Sequence, residues 1–431
     1  MNKLFSAGFS KVCITPPIGT PMSGFSSRCG PSIGIHDPLY ARVLYLLEGN
    51  EEWMLISLDV AGIDAKFSKG ISKEIRKKIG IKEDKVIITA THTHSGPDIR
   101  FYFSDPDPFL HEYIKRHVIG AALVAYLDKD TGKVGIRKSI IKDVSINRRR
   151  PGEGLIDPDF YTILIKRNSK KSIALISFAC HPTILGPSNR YLSADYPGVL
   201  NKMVEKLGNL HSMFFNGACG DINPLTPTTT IDDRYKRGVG SFEEVEWLGK
   251  ILAYEAIKNI LLIKNFNLSL KGLTSHIEVE TLLPSSVENE KIKLEELKSK
   301  LRKASDAGNT QEEERIRFEL WKARRIIRMY EIHGASRLKL KISILAFNKE
   351  IAMVFLPGEI LVELGLKIKF YSPFKDTIVI GYSNDYIGYV APSSAYRLEG
   401  YETMFPASIL KPGEGDKIVR VVLELLDKIY E

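Results

Sequence analysis

Apolar positions recur along this chain with two periods. Residues 41–48 (ARVLYLLE) and 53–60 (WMLISLDV) are short, nearly continuous apolar runs, which predicts strands buried on both faces. Residues 65–79 (AKFSKGISKEIRKKI) instead space their apolar positions by three and four, which predicts an amphipathic helix. VIITATHTH (86–94) then reads as a buried strand that runs into two histidines, and residues 108–128 predict a long helix. The arrangement repeats. ISFACHPTIL (176–185) is a buried strand ending in a histidine, and SMFFNGACGDINP (212–224) is an apolar run followed by Gly, Asp and Asn. A further helix is expected over 242–262.

The pattern changes over residues 286–334. Ile292, Leu294, Leu297 and Leu301 form one helical stripe, Ile316, Leu320, Ile326 and Ile327 a second, and the AGN at 307–309 supplies a turn. This predicts an inserted helical hairpin with charged outer faces, by default a packed surface insertion, with a lid or homo-oligomerisation arm as the alternatives. The remainder returns to strands: a hairpin over 341–359 turning at Asn348–Lys349, a helix over 360–371, and a strand at 377–392 running into a Tyr-rich loop. Alternating strands and helices predict an α/β fold with mixed sheets flanked by helices. The expectation is a single catalytic domain over 1–431 that carries the 286–334 hairpin. In such sheets chemistry gathers beyond the carboxyl ends of strands, and here three strands end in loops rich in ligand-capable residues.

Composition narrows this only slightly. With 44% hydrophobic and 26% charged residues in 431, the chain has the make-up of a soluble globular protein. No run approaches the roughly 20 apolar residues of a membrane span. The N-terminus lacks a signal-type apolar core, so a cytoplasmic protein is expected. The four cysteines show no CxxC spacing, which fits reduced thiols. The formal charge of +9 admits an anionic partner, but the basic residues are scattered among acids and no nucleic-acid-binding motif is present. The densest basic spot is Arg148–Arg150, after Asn147.

The chemistry sits in the strand-end loops. In an extended segment His92 and His94 face one side and can converge on one centre, as a metal site requires. His181 is a further imidazole, with Asp195 either orienting it or capping the following helix. The Gly217–Gly220 loop offers backbone N–H groups for an oxyanion, Cys219 is a minor nucleophile candidate, and Glu359 follows a strand as a helix-dipole charge or a ligand.

THTHSGPD, the NR of SINRRRP, the HPT of ACHPT, GDINP, PGE and the YIGYV…GYE stretch together resemble, in the same order, the neutral/alkaline non-lysosomal ceramidase family, from near residue 10 to near residue 410. That family consists of zinc amidases that cleave the N-acyl bond of ceramide. The resemblance implies a bound Zn2+ with His92, His181, Glu359 and Tyr389 as ligands. It implies His94, Arg148 and Tyr401 around the scissile amide and Gly24 lining the pocket. Asn223 stands where the family carries a serine, so a serine nucleophile is excluded there and Asn223 is left to steady the oxyanion. No C-terminal immunoglobulin-like domain is expected. The implied activity is hydrolysis of a ceramide-like or other N-acylated amine by metal-activated water, with Arg148, His94 and Tyr401 polarising the carbonyl and His94 or Tyr401 protonating the leaving amine. The expected partner is therefore a small-molecule N-acyl substrate, lipids included, with no nucleic acid and no membrane span. Two other readings stay open: a zinc esterase or peptidase on the same site, and a non-catalytic scaffold acting through the hairpin.

Overall fold

The computed structural model describes residues 4–228, 240–264, 269–334, 336–398 and 400–431. Its largest sheet has eight strands: β1 (Phe5–Cys13), β2 (Tyr40–Glu48), β3 (Glu51–Leu58), β4 (Val86–Ala90), β5 (Asp130–Ile140), β6 (Asp159–Arg167), β7 (Ile173–Phe178) and β8 (His211–Asn216). Their spatial order is β8-β7-β6-β5-β1-β2-β3-β4. A second sheet runs β9 (Leu270–Glu280), β10 (Arg337–Phe347), β11 (Ile351–Phe355), β12 (Asp376–Ile380), in that order. Both sheets are mixed. The pairs β3/β4, β7/β8 and β11/β12 are parallel, and the other pairs are antiparallel.

The two sheets pack face to face, and strand alternation explains why. Phe5, Ala7 and Phe9 of β1, Leu44 and Leu46 of β2, and Trp53 and Leu55 of β3 join one apolar cluster with Leu345, Met353, Phe355 and Ile378 of the second sheet. The intervening residues, such as Val43, Tyr45, Met54 and Ile56, point the other way, against helices α1 (Ala65–Ile79) and α2 (Pro108–Leu127). Helices α3 (Asp195–Gly208) and α4 (Phe242–Leu262) cover the β6–β8 end of the same outer face. The outer face of the second sheet is covered by α7 (Val362–Tyr371) and α8 (Glu414–Tyr430). The result is an α/β/β/α sandwich, whose central strands are buried on both sides and therefore written as near-continuous apolar runs. Among the described residues no helix is long and apolar enough to cross a membrane.

Helices α5 (Glu288–Asp306) and α6 (Thr310–His333) form the hairpin. Its stripes are mostly used within the chain, although Ile292 stays exposed. Leu297, Ala304, Ile316 and Leu320 pack on one another, while Ile326 and Ile327 pack with Val287 and Phe405.

The large sheet curls until its two edges approach. Ser57 of β3 donates to the Phe214 carbonyl of β8 at 2.9 Å, and the Asn216 side-chain amide donates to the Thr91 carbonyl at 3.1 Å. The chain leaving β12 wedges between those edges, with Gly381 N–H on Asn216 O at 3.2 Å and Ala90 N–H on Tyr382 O at 3.2 Å. Consequently the carboxyl ends of all three parallel pairs open at one place.

The expected boundaries of α1 and α4 coincide with those observed, because both helices are long and strongly patterned. Strands β5 and β6 went unread: β5 (DTGKVGIRKSI) is only partly buried and carries little apolar signal.

Close sheet packing depends on Gly272 of β9, where a Cβ would lie 2.1 Å from the Trp53 indole. Gly272→Ala is expected to lower unfolding free energy by roughly 1–3 kcal/mol through overpacking. Gly120→Ala, on an exposed stretch of α2 with open space around it, should raise stability by about 0.5–1 kcal/mol. Urea unfolding of both variants checks the pair.

Candidate metal centre and its cavity

Each parallel pair delivers part of one cluster. The β3/β4 pair ends at Val60–Ala61 and His92. The His92 N–H donates to Val60 O at 3.0 Å, and the residue is held at φ 72, a costly conformation for a non-glycine residue that persists only where surroundings fix it. The β7/β8 pair ends at His181 and the 216–224 loop. The β11/β12 pair ends at Glu359 and the 381–390 loop, where Glu359–Ile360 pairs in parallel with Tyr389–Val390. A short antiparallel pairing, Ile222 with Asn147 and Asn223 with Ile146, places Arg148 beside Asn223.

Potential ligand atoms of His92, His94 and His181 all lie within 4.8 Å of one another. Glu359 joins them: its Oε2 is 2.9 Å from His181 Nε2 and 3.3 Å from His92 Nε2. His94 Nε2 is 3.1 Å from His92 Nε2. The remaining ring nitrogens fix the tautomers. His92 Nδ1 contacts the Ala61 carbonyl at 2.5 Å and His181 Nδ1 the Ile222 carbonyl at 3.1 Å. A carbonyl only accepts, so both Nδ1 atoms carry a proton, which leaves each Nε2 as the nitrogen able to face a metal.

Those Nε2 atoms face a carboxylate. Burial, with Arg148 nearby, pushes His181 down to about 4. His94 is pushed well below its ordinary value by burial and by the neighbouring His92 and His181. Burial alone would raise Glu359, but His92 and His181 outweigh it and hold the carboxyl well below its usual range. An ionised carboxylate buried 2.9 and 3.3 Å from two imidazole Nε2 atoms needs positive charge beside it, and a metal ion can take that place. Zinc at its usual 2.0–2.2 Å ligand distances implies about 3.3 Å between tetrahedral ligands, close to the spacing found. The donor set fits a divalent metal ion.

The surroundings hold these groups in place. Tyr386 donates its hydroxyl to Glu359 Oε1, and Tyr382 stacks on His92 at 4.0 Å between ring centroids. Gly24 (φ +107) lies against His94, where a Cβ would meet the His94 Cβ at 2.6 Å, so only glycine fits. Above the cluster opens a cavity of about 540 Å3. Gly24, His92, His94, Arg148, Glu359 and Tyr389 line it, as does Tyr401, all named by the sequence. His181 and Asn223 lie beneath, fully buried.

Arg148 is fixed on three sides. Its Nε donates to Glu402 at 2.7 Å, one Nη to Asn223 Oδ1 at 3.2 Å, and the other to the Tyr389 hydroxyl at 2.8 Å. Arg149 shares Glu402 at 2.9 Å, so one carboxylate engages both arginines. Burial raises Tyr389 well above its ordinary value, with Arg148 opposing.

Several sequence expectations settle differently. The Gly217 and Gly220 N–H groups are taken by the Phe178 and Ile360 carbonyls, so this loop offers no oxyanion site from them. Asp195 does not orient His181; it follows the helix-capping residue Ala194, and its side chain accepts from Tyr196 and Leu185 N–H groups. Cys219 is buried, bonded to the Tyr382 hydroxyl at 3.1 Å and pushed up by burial, which leaves an inert thiol. Sequence reading missed Tyr386 and Glu402. Each adjoins a recognised motif, but only long-range contacts reveal its role.

A sandwich of two mixed sheets that gathers three imidazoles and a carboxylate at the floor of one cavity defines an α/β protein with a candidate metal centre. The chain belongs to the neutral/alkaline non-lysosomal ceramidase family, whose N-terminal model matches residues 5–224. Its fold is similar to that of the neutral ceramidase from Pseudomonas aeruginosa, at a TM-score of 0.76 and 16% identity, covering 100% of this chain and 75% of that one. A ceramidase complexed with C2 matches at the same TM-score and identity, covering 98% and 75%.

The depressed imidazoles dictate a pH response. Between 6.5 and about 4 the unfolded chain binds a proton at His181 that the folded chain refuses. Stability of metal-free protein is therefore present above that window and is lost as pH falls through it. Thermal unfolding from about pH 7 to about pH 4.5 should show a falling midpoint, with a shallower slope in His94→Asn. A midpoint that is level or rises on acidification contradicts neutral imidazoles.

Proposed function

We propose that this protein is a zinc-dependent amidohydrolase that cleaves the N-acyl amide of a ceramide-like or other N-acylated amine. One observation carries the proposal: two imidazole Nε2 atoms facing a shared carboxylate, with a third imidazole beside them, at the floor of a cavity large enough for a small molecule. Family membership and the two similar ceramidase folds support the reaction class.

His92, His181 and Glu359 hold the metal, with Tyr389 as the fourth ligand. The guanidinium of Arg148 on the Tyr389 hydroxyl favours negative charge on that oxygen. Bound zinc supplies Lewis acidity and an activated water at neutral pH. The chain's own groups do the rest. Arg148, immobilised by Glu402 and Asn223, stabilises negative charge developing on the amide oxygen without reorganising. Asn223 acts through Arg148, since its Oδ1 accepts from the guanidinium. His94, kept neutral, takes a proton from the attacking water and returns it to the leaving nitrogen, so that amide and water become carboxylate and amine. Tyr401, ring-to-ring with Tyr389 at 5.6 Å, and Gly24 shape the walls around the acyl amine.

Purified protein should carry close to one zinc per chain by elemental analysis, and His181→Ala prepared identically should carry none. Arg148→Ala should keep the metal yet lose roughly 10²–10³ in kcat on an N-acyl amine. Parallel ester, peptide and acyl-amide assays should favour the acyl amide. Zinc-loaded protein that is silent on every acyl amide refutes the reading.

A further inference from the structure

Beside the reaction cavity lies a second one, of about 470 Å3, enclosed between the α5–α6 hairpin and the loops at 19–31 and 103–105. The two share Phe25, Ser26, Phe103 and Trp321 as walls, so they adjoin across an aromatic partition. Their charge differs. Arg28, Lys298, Arg302, Arg317 and Arg324 line the second cavity, against Asp105 as its one lining carboxylate.

Pairing does not neutralise this surplus. Asp105 is shared by Arg324 at 3.2 Å and Lys298 at 3.4 Å. Lys298 and Arg317 also reach Glu295 and Glu313, carboxylates outside the lining. Arg28 donates only to carbonyl oxygens, those of Ser23, Asn189 and His94. A cavity lined by five cations and one carboxylate favours a guest that brings acceptors and negative charge. The Arg148–Arg150 run is a poorer anion site, because Glu402 already engages its first two members.

We propose that this cavity binds the anionic end of the substrate, so that the enzyme acts on N-acyl amines whose amine portion carries a carboxylate or phosphate rather than on an uncharged headgroup. The assignment rests on the amidase reading for the position of the amide, which lies over the His92–His181–Glu359 centre while the chain passes Phe25 and Trp321. Planar guanidiniums suit carboxylate and phosphate alike through paired N–H donors.

Calorimetry tests this with three probes: N-dodecanoyl glutamate, N-dodecanoyl phosphoethanolamine and uncharged N-dodecanoyl ethanolamine. Each is titrated into the full chain as purified and again after chelation, which removes any contribution from an anion on the metal. At least one anionic probe should bind roughly tenfold tighter than the uncharged one in both preparations, and the difference should shrink as salt rises. The two anionic arms distinguish carboxylate from phosphate. Arg302→Gln, at an exposed position, should weaken the anionic probe roughly two- to fivefold and leave the uncharged probe unchanged. Arg302→Gln with Arg324→Gln should abolish the preference, and Asp105→Asn should strengthen it. Equal binding of charged and uncharged probes, or a preference that survives the double variant, overturns the proposal. Hydrolysis is followed separately by chromatography. Anion-selective binding without turnover keeps the cavity assignment and removes the amidase reading. Turnover of all three probes with no binding preference does the reverse.

Discussion

A carboxylate with almost no solvent exposure, flanked by two imidazoles and a phenol, is the constraint around which this molecule is arranged. Glu359 stays ionised there because His92 and His181 flank it, while the Tyr386 hydroxyl donates to its other oxygen. The imidazoles turn their Nε2 atoms to it because the Ala61 and Ile222 carbonyls hold their other nitrogens. The group is electrostatically incomplete without a cation. That incompleteness, more than any single residue, makes it a candidate metal centre.

The fold supplies the convergence. Three parallel strand pairs lie in different parts of two sheets, and a parallel pair points both carboxyl ends the same way. Curling of the eight-stranded sheet brings its edges within hydrogen-bonding reach, as Ser57 and Phe214 show. The loops after β4, β7 and β11 then meet at one point. This extends to a mixed sandwich the rule that open α/β sheets place ligands beyond their carboxyl ends.

Much of this was legible in the chain. The patterning of α1 and α4 fixed their limits, and the motifs after β4, β7 and β11 marked His92, His181 and Glu359. The rest depended on contacts that no local pattern encodes. Tyr386 differs from the other tyrosines of its loop only because its hydroxyl reaches Glu359. Arg148 and Arg149 look like free positive charge until Glu402, far along the chain, is found to engage both. Hairpin periodicity was plain, but its role was not. Only the folded structure shows that α6 places Trp321 and Arg325 in the wall of the reaction cavity. The hairpin thereby becomes part of the site's boundary.

Anomalous X-ray scattering at the zinc edge, from crystals grown with zinc, tests the central claim most directly. The account predicts one strong peak per chain within coordination distance of His92 Nε2, His181 Nε2 and a Glu359 oxygen. The absence of a peak among these three side chains, with or without zinc bound elsewhere, would contradict it.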